Sequence, residues 1–393
     1  MRTLPVLHRR AAVLLTAACA ACAEPPAAFE PVDRPQDPVV SPWRLTFNPG
    51  DDHTPVWSLG GDSIIYVAQG FEPGMTSPGV LVVQPKERGV ALPLLTSIQH
   101  PSAPQRWLTA PAPSPDGQRL AFVELQEVIL AEPCSGTWIC DSADTVGSVA
   151  TLLGADVRVR SLDATGPLAN DPLLRLNLPA RYDLGHEPGS GLMWTRLEVL
   201  PYQELFRDED APIFRPGWSP DGRRIVTSDG VSLRIWDVAS GVSSPIPGTE
   251  DGMLAAWSPD GEWIAFVKPE RTDTIRFRCT CMTGFGPIAV QDRVVYRTGR
   301  RMIAIIRPDG TGYAELVEGT EPAWLPDSRG ICFQNADRLW VVSIDGGSPI
   351  EIPNTMGGRE PAVSPDGRYV VFSRRAPAGD RDVWIAEMRS SVP

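Results

Sequence analysis

A chain of 393 residues with 41 Pro, 35 Gly and 42% hydrophobic residues can bury a large core and is rich in turn formers. Its formal net charge of -12 argues against a nucleic-acid backbone as partner, because such a surface repels phosphate. The acidity points to no other partner.

Residues 1–22 read as an export signal. Arg2, His8, Arg9 and Arg10 supply a positive start, and residues 11–18 form an apolar run too short to span a bilayer. The run ends in Thr16-Ala17-Ala18-Cys19-Ala20-Ala21-Cys22, which resembles a bacterial lipobox and implies acylation of Cys22 or Cys19. The expected location is the periplasm or cell surface, with a lipid anchor in the outer membrane. Residues 23–42 carry Pro25, Pro26, Pro31, Pro35 and Pro38 and read as an extended tether. Ordered structure is expected from Trp43 to the end.

Six hairpin units follow. The fullest is Trp257-Ser258-Pro259-Asp260-Gly261 leading into Ile264-Ala265-Phe266. Pro presets φ, the Asp carboxylate caps the turn, and Gly takes the left-handed position that closes it. The others begin at Trp57-Ser58-Leu59-Gly60-Gly61, Ser114-Pro115-Asp116-Gly117, Trp218-Ser219-Pro220-Asp221-Gly222, Trp324-Leu325-Pro326-Asp327-Ser328 and Ser364-Pro365-Asp366-Gly367. Aligned at the Asp position they are spaced 56, 105, 39, 67 and 39 residues apart, a bare repeat of 39 with insertions. A period of about 40 with four short strands per unit is the mark of a propeller.

This hairpin with its Ile-Ala-Phe strand is similar to the PD40 repeat of TolB-type six-bladed propellers and of prolyl-oligopeptidase-like propellers, over roughly residues 43–393. The segment Leu233-Arg234-Ile235-Trp236-Asp237 also resembles the Trp-Asp ending of a WD40 strand. The resemblance implies an all-β, six-bladed β-propeller of four-stranded blades. Strands a to d would run outward from the axis, with the repeated turn joining a to b. The last blade lacks a d strand at the end of the chain, so residues 43–47 are expected to supply it and close the ring.

Three stretches exceed the bare repeat. Residues 126–154 and 269–300 fall between strands b and c of blades 2 and 4, and residues 178–211 fall between blades 2 and 3. Connections b–c and d–a leave from one face, so all the extra length belongs to that face, the expected working face. Trp138, Trp194 and Phe285 in these stretches are candidate aromatic anchors. The run Asp208-Glu209-Asp210 reads as a solvated loop.

The start of each a strand should face the channel mouth on that same face. Across the blades this gives Thr54, Ala110, Arg215, Leu254, Glu321 and Glu360, of which Thr54, Arg215, Glu321 and Glu360 can hydrogen-bond a peptide or polar ligand. Cys134 and Cys140 are spaced to close a small loop by a disulfide in an exported chain, and Cys332 reads as a packed core thiol. The pairing of Cys279 and Cys281 is open. His53, His100 and His186 fall in loop-like contexts, no Gly-x-Ser-x-Gly elbow is present, and the repeated Asp residues are accounted for by their turns.

The reading that follows is a non-enzymatic envelope propeller, expected as a monomer, binding a protein or peptide without nucleic acid, catalytic residues, cofactor or metal site. The alternative is a lactonase- or lyase-like propeller enzyme with a divalent cation at the channel mouth, or a stand-alone relative of prolyl-oligopeptidase propellers. Glu321 and Glu360 would serve that enzyme, and no third acid occupies an equivalent position.

Overall fold

The computed structural model describes residues 41–47, 49–69, 80–87, 89–96, 106–129, 137–140, 151–163, 173–175, 181–186, 193–199, 214–229, 231–375 and 379–388. The export signal, Cys19, Cys22, all but the last two residues of the tether, His100, Cys134 and Asp208-Glu209-Asp210 lie outside the described residues.

The repeated turn is built as its residues dictate. In the third copy the Ser219 hydroxyl lies 2.5 Å from Asp221 Oδ1, which also accepts the Arg223 N–H at 3.1 Å, and Gly222 donates to the Ser219 carbonyl at 2.9 Å. Gly222 sits at φ 65°, where a Cβ would be strained. Ser258–Asp260 and Ser364–Asp366 repeat the hydroxyl contact at 2.6 Å. The hydroxyl bond holds the Asp221 and Asp366 carboxyls below the usual range. In the fifth copy Ser328 takes the glycine position at φ 62°.

Each turn joins the first two strands of a four-stranded antiparallel blade. Blade 1 is β2(Asp52–Trp57), β3(Ser63–Ala68), β4(Val80–Pro85) and β5(Leu92–Thr96). Blade 2 is β6(Arg106–Pro113), β7(Arg119–Ile129), β9(Thr151–Ser161) and β10(Leu173–Arg175); β8(Thr137–Cys140) falls between β7 and β9 in the chain but pairs outside the blade. Blade 3 follows the insertion strands β11(Arg181–His186) and β12(Met193–Val199), and consists of β13(Gly217–Trp218), β14(Arg224–Ser228), β15(Leu233–Asp237) and β16(Ser243–Pro245). Blade 4 is β17(Met253–Trp257), β18(Ile264–Thr283), β19(Gly286–Ile306) and β20(Ala314–Glu318). Blade 5 is β21(Thr320–Trp324), β22(Gly330–Asn335), β23(Arg338–Ser343) and β24(Ile350–Glu351). Blade 6 is β25(Gly358–Val363), β26(Tyr369–Arg375) and β27(Arg381–Glu387), completed by β1(Trp43–Arg44) from the other end of the chain. The fold is an all-β, six-bladed propeller.

Closure follows the expected route. Trp43 pairs with Ile385 and Arg44 with Trp384, and Leu45 donates its N–H to the Val383 carbonyl at 2.8 Å. The Arg44 guanidinium reaches the fully buried Asp382 carboxylate at 2.7 Å. Burial pushes the Asp382 carboxyl above its ordinary range, and Arg44 opposes that shift.

The repeated tryptophans tie neighbouring blades together. Trp218 Nε1 donates to the Ala112 carbonyl of blade 2, and Trp324 Nε1 to Ala256 of blade 4, each at 2.9 Å. Trp57 Nε1 reaches Ala362 of blade 6 at 2.9 Å, a second bond across the closure. Trp257 instead donates to the Gly261 carbonyl in its own turn at 3.2 Å. The third apolar residue of each b strand fills the blade interior: Tyr66, Phe122, Phe266, Phe333 and Phe372 are fully buried. Burying one such ring contributes roughly 1.5–3 kcal/mol. Blade 3 has Thr227 there, whose hydroxyl donates to the Phe214 carbonyl at 2.7 Å. Cys332 is fully buried in β22, and burial raises its thiol, so it is a core residue as expected.

Candidate functional site

Two features meet on the face from which the b–c and d–a connections leave: a ring of bulged strand starts near the axis, and a sheet made by the insertions.

The ring comes from one extra residue in strand a. In blade 1, His53 pairs with Val67 and Val56 with Ile65, so three steps on β2 match two on β3. The same slip occurs at Thr109–Ala112, Met253–Ala256, Thr320–Ala323 and Arg359–Ala362. The inserted residues Thr54, Ala110, Leu254, Glu321 and Glu360 have φ between 48° and 57°, a left-handed backbone that non-glycine residues rarely adopt. Five of the six positions picked out in the sequence are thus bulge residues, and Arg215 stands at the sixth, before the short β13.

The bulges aim backbone amides along the ring. Glu321 Oε2 accepts the Glu360 N–H, and Glu360 Oε2 accepts the Thr54 N–H at 2.7 Å. Both glutamates are almost fully buried, at 2% and 4% exposure, so each carboxylate holds the next blade in place besides carrying charge. The Arg215 guanidinium is half-buried. Burial lowers it, while the nearby Glu321 and Glu360 charges act the other way. A narrow cavity of about 10 Å³, close to the space one water needs, is lined by Thr54, Ala110, Arg215 and Glu360. Thr54 Oγ1 is buried with no hydrogen-bond partner.

The structure brings Thr54, Arg215, Glu321 and Glu360 together as the sequence suggested, and adds His53. His53 is not in a loop; it lies in β2 beside the bulge, and His186 likewise ends strand β11. Burial lowers the His53 imidazole from its ordinary 6.5, with Glu360 and Asp51 opposing and Arg381 reinforcing the shift. The signal that could have found it is its place one residue before the ring position. Among the described residues, no three of His, Cys, Asp and Glu are grouped as a metal site would need.

The insertions are strands as well as loops, which the sequence reading did not foresee. Strand b of blade 2 runs to Ile129 and its partner begins at Thr151, while β18 and β19 form one long hairpin far beyond blade 4. Threonine, valine, isoleucine and aromatic residues dominate 274–296, so extended pairing is locally favoured once a hairpin starts it. On that hairpin β8 pairs antiparallel with residues 279–282 of β18, and β12 pairs parallel with residues 289–295 of β19. Strand β11 then pairs with β12. The resulting order, β8–β18–β19–β12–β11, takes strands from all three insertions. At the hairpin tip Phe285 is fully exposed. The strands that carry Trp138 and Trp194 belong to the same sheet.

No protein-family model and no curated protein matches the chain. Solved structures do. A structure described as TolB from Agrobacterium tumefaciens is 16% identical, covering 87% of this chain and 92% of that one, with a TM-score of 0.46. TolB from Acinetobacter baumannii is 15% identical over 80% of this chain and 57% of that one, with a TM-score of 0.45. An oligogalacturonate lyase from Vibrio parahaemolyticus is 9% identical over 90% of this chain and 94% of that one, with a TM-score of 0.44.

Proposed function

We propose that this propeller is a non-enzymatic binding module of the cell envelope that docks a protein or peptide on the face carrying the insertion sheet. The observation that carries the reading is the sheet itself: three insertions, from separate points in the chain, pair into one surface. Stability of six blades does not require it, and extra length concentrated on one face is the usual mark of a recognition surface. Phe285 supplies a fully exposed aromatic at its tip, the kind of side chain that anchors interfaces. Arg215, with the buried Glu321 and Glu360 beside it, lies on the same face and offers a cation to polar groups of the partner. Its cavity has room for about one water, so a folded surface or an extended segment fits the face better than a buried small molecule. An envelope location is supported by the positive start and short apolar run of residues 1–22 and by the lipobox-like setting of Cys22 and Cys19.

The experiment is site-specific photo-cross-linking in cells that export the full chain. A photoreactive residue at Phe285 is expected to capture one or a few discrete envelope proteins, and the same residue at Arg223, on the turn face, none of them. Equal capture at both positions, or capture only at Arg223, contradicts the proposal.

A further inference from the structure

Four cysteines belong to the insertions: Cys134 and Cys140 in that of blade 2, Cys279 and Cys281 in that of blade 4. The antiparallel pairing of β8 with β18 places Cys140 directly opposite Cys279. Directly opposed residues in such a pair have Cα atoms about 4.5 or 5.5 Å apart, depending on their hydrogen-bonding position. Both distances fall inside the window of about 4.4–6.8 Å that a disulfide spans.

The competing pairs are placed less well. Cys279 and Cys281 are two residues apart on one strand, about 6.6 Å with parallel Cα–Cβ directions. Cys140 closes a strand that begins at Thr137, about 10 Å away along an extended chain. For Cys134 to come within the same window of Cys140, the chain before Thr137 would have to turn back alongside β8 over about half that distance.

We propose that Cys140 and Cys279 form an interstrand disulfide that staples the blade 2 insertion to the blade 4 insertion, in place of the loop-closing Cys134–Cys140 bond suggested by spacing. The bond forms by thiol–disulfide exchange with a disulfide-donating oxidoreductase. A Cys140 or Cys279 thiolate attacks the donor disulfide, and the second thiolate displaces the donor from the mixed disulfide. Two protons and two electrons leave the cysteine pair, and the donor leaves as a dithiol. The staple encloses blade 3 in a covalent loop, because residues 140–279 contain all four of its strands. It keeps the working sheet in one piece without enlarging either insertion.

Trypsin distinguishes the possibilities, because Cys134 and Cys140 fall in the single peptide 120–158 and Cys279 and Cys281 in the peptide 279–293. The full chain is refolded with oxidised and reduced glutathione, acid-quenched, alkylated and digested without reductant. The two peptides are expected as one linked species that separates on reduction. The double variant Cys134→Ser with Cys281→Ser should keep the link, and adding either Cys140→Ser or Cys279→Ser should abolish it. A bond internal to 120–158, free thiols at Cys140 and Cys279, or loss of the link in the double variant overturns the proposal.

Discussion

Glu360 shows how one side chain serves both the ring and the fold. Its carboxylate accepts the Thr54 N–H across the blade 6–blade 1 junction, at 4% exposure. Glu360→Ala leaves that amide buried and unpaired, at a cost of roughly 1–3 kcal/mol, while Glu360→Gln keeps an acceptor and should lose less than half as much. Urea unfolding of the two variants checks the difference, and equal losses would contradict the bond. His53 beside it makes stability depend on pH. Its imidazole is lowered from 6.5, so on acidification the unfolded chain takes up the proton first. The stabilisation is therefore fully present above 6.5 and is lost as pH falls below it toward the lowered folded value. His53→Gln should flatten the slope of the urea midpoint between pH 7 and about 5.5. Parallel slopes in the two proteins would remove His53 from the account of acid sensitivity.

At the scale of elements, the turns were legible because Ser, Pro, Asp and Gly, complete in four of the six copies, each have one local reason to stand where they do. The closing strand was legible by subtraction, since blade 6 had no outer strand of its own. What the sequence could not show was the pairing of the insertions: β8, β12 and the distal parts of β18 and β19 are joined by long-range partners, and nothing local in 137–140 or 193–199 names them. The bulges in five of the six a strands were equally hidden, because Thr54, Ala110, Leu254, Glu321 and Glu360 share a backbone conformation and no residue type. Closure carries its own test. Arg44→Ala strips the charged partner from the fully buried Asp382, leaving its Thr46 hydrogen bond, and should destabilise the protein by about 3 kcal/mol, the lower end for a broken buried pair because Arg44 itself is half-open. Deleting residues 43–47 should cost more, and an unchanged melting temperature after that deletion would mean the ring is not closed there. Trp324→Phe should cost about 1 kcal/mol by leaving the Ala256 carbonyl without its indole donor.

At the scale of the molecule, a six-fold scaffold carries an asymmetric surface. The blades account for stability through repeated aromatic burial and tryptophan bonds, while the added sheet draws on insertions within blade 2, between blades 2 and 3, and within blade 4. If that sheet is one surface, removing one insertion must expose the strand of another. The direct measurement is hydrogen exchange after residues 181–199 are replaced by a short Gly-Ser linker, which deletes β11 and β12 and frees one side of β19. The amides of 289–295 that face β12 should then exchange at least tenfold faster, while the alternate amides bonded to β18, those in 279–282, paired with β8, and those of blades 5 and 6 stay as protected as before. Unchanged exchange in 289–295 would contradict the shared sheet.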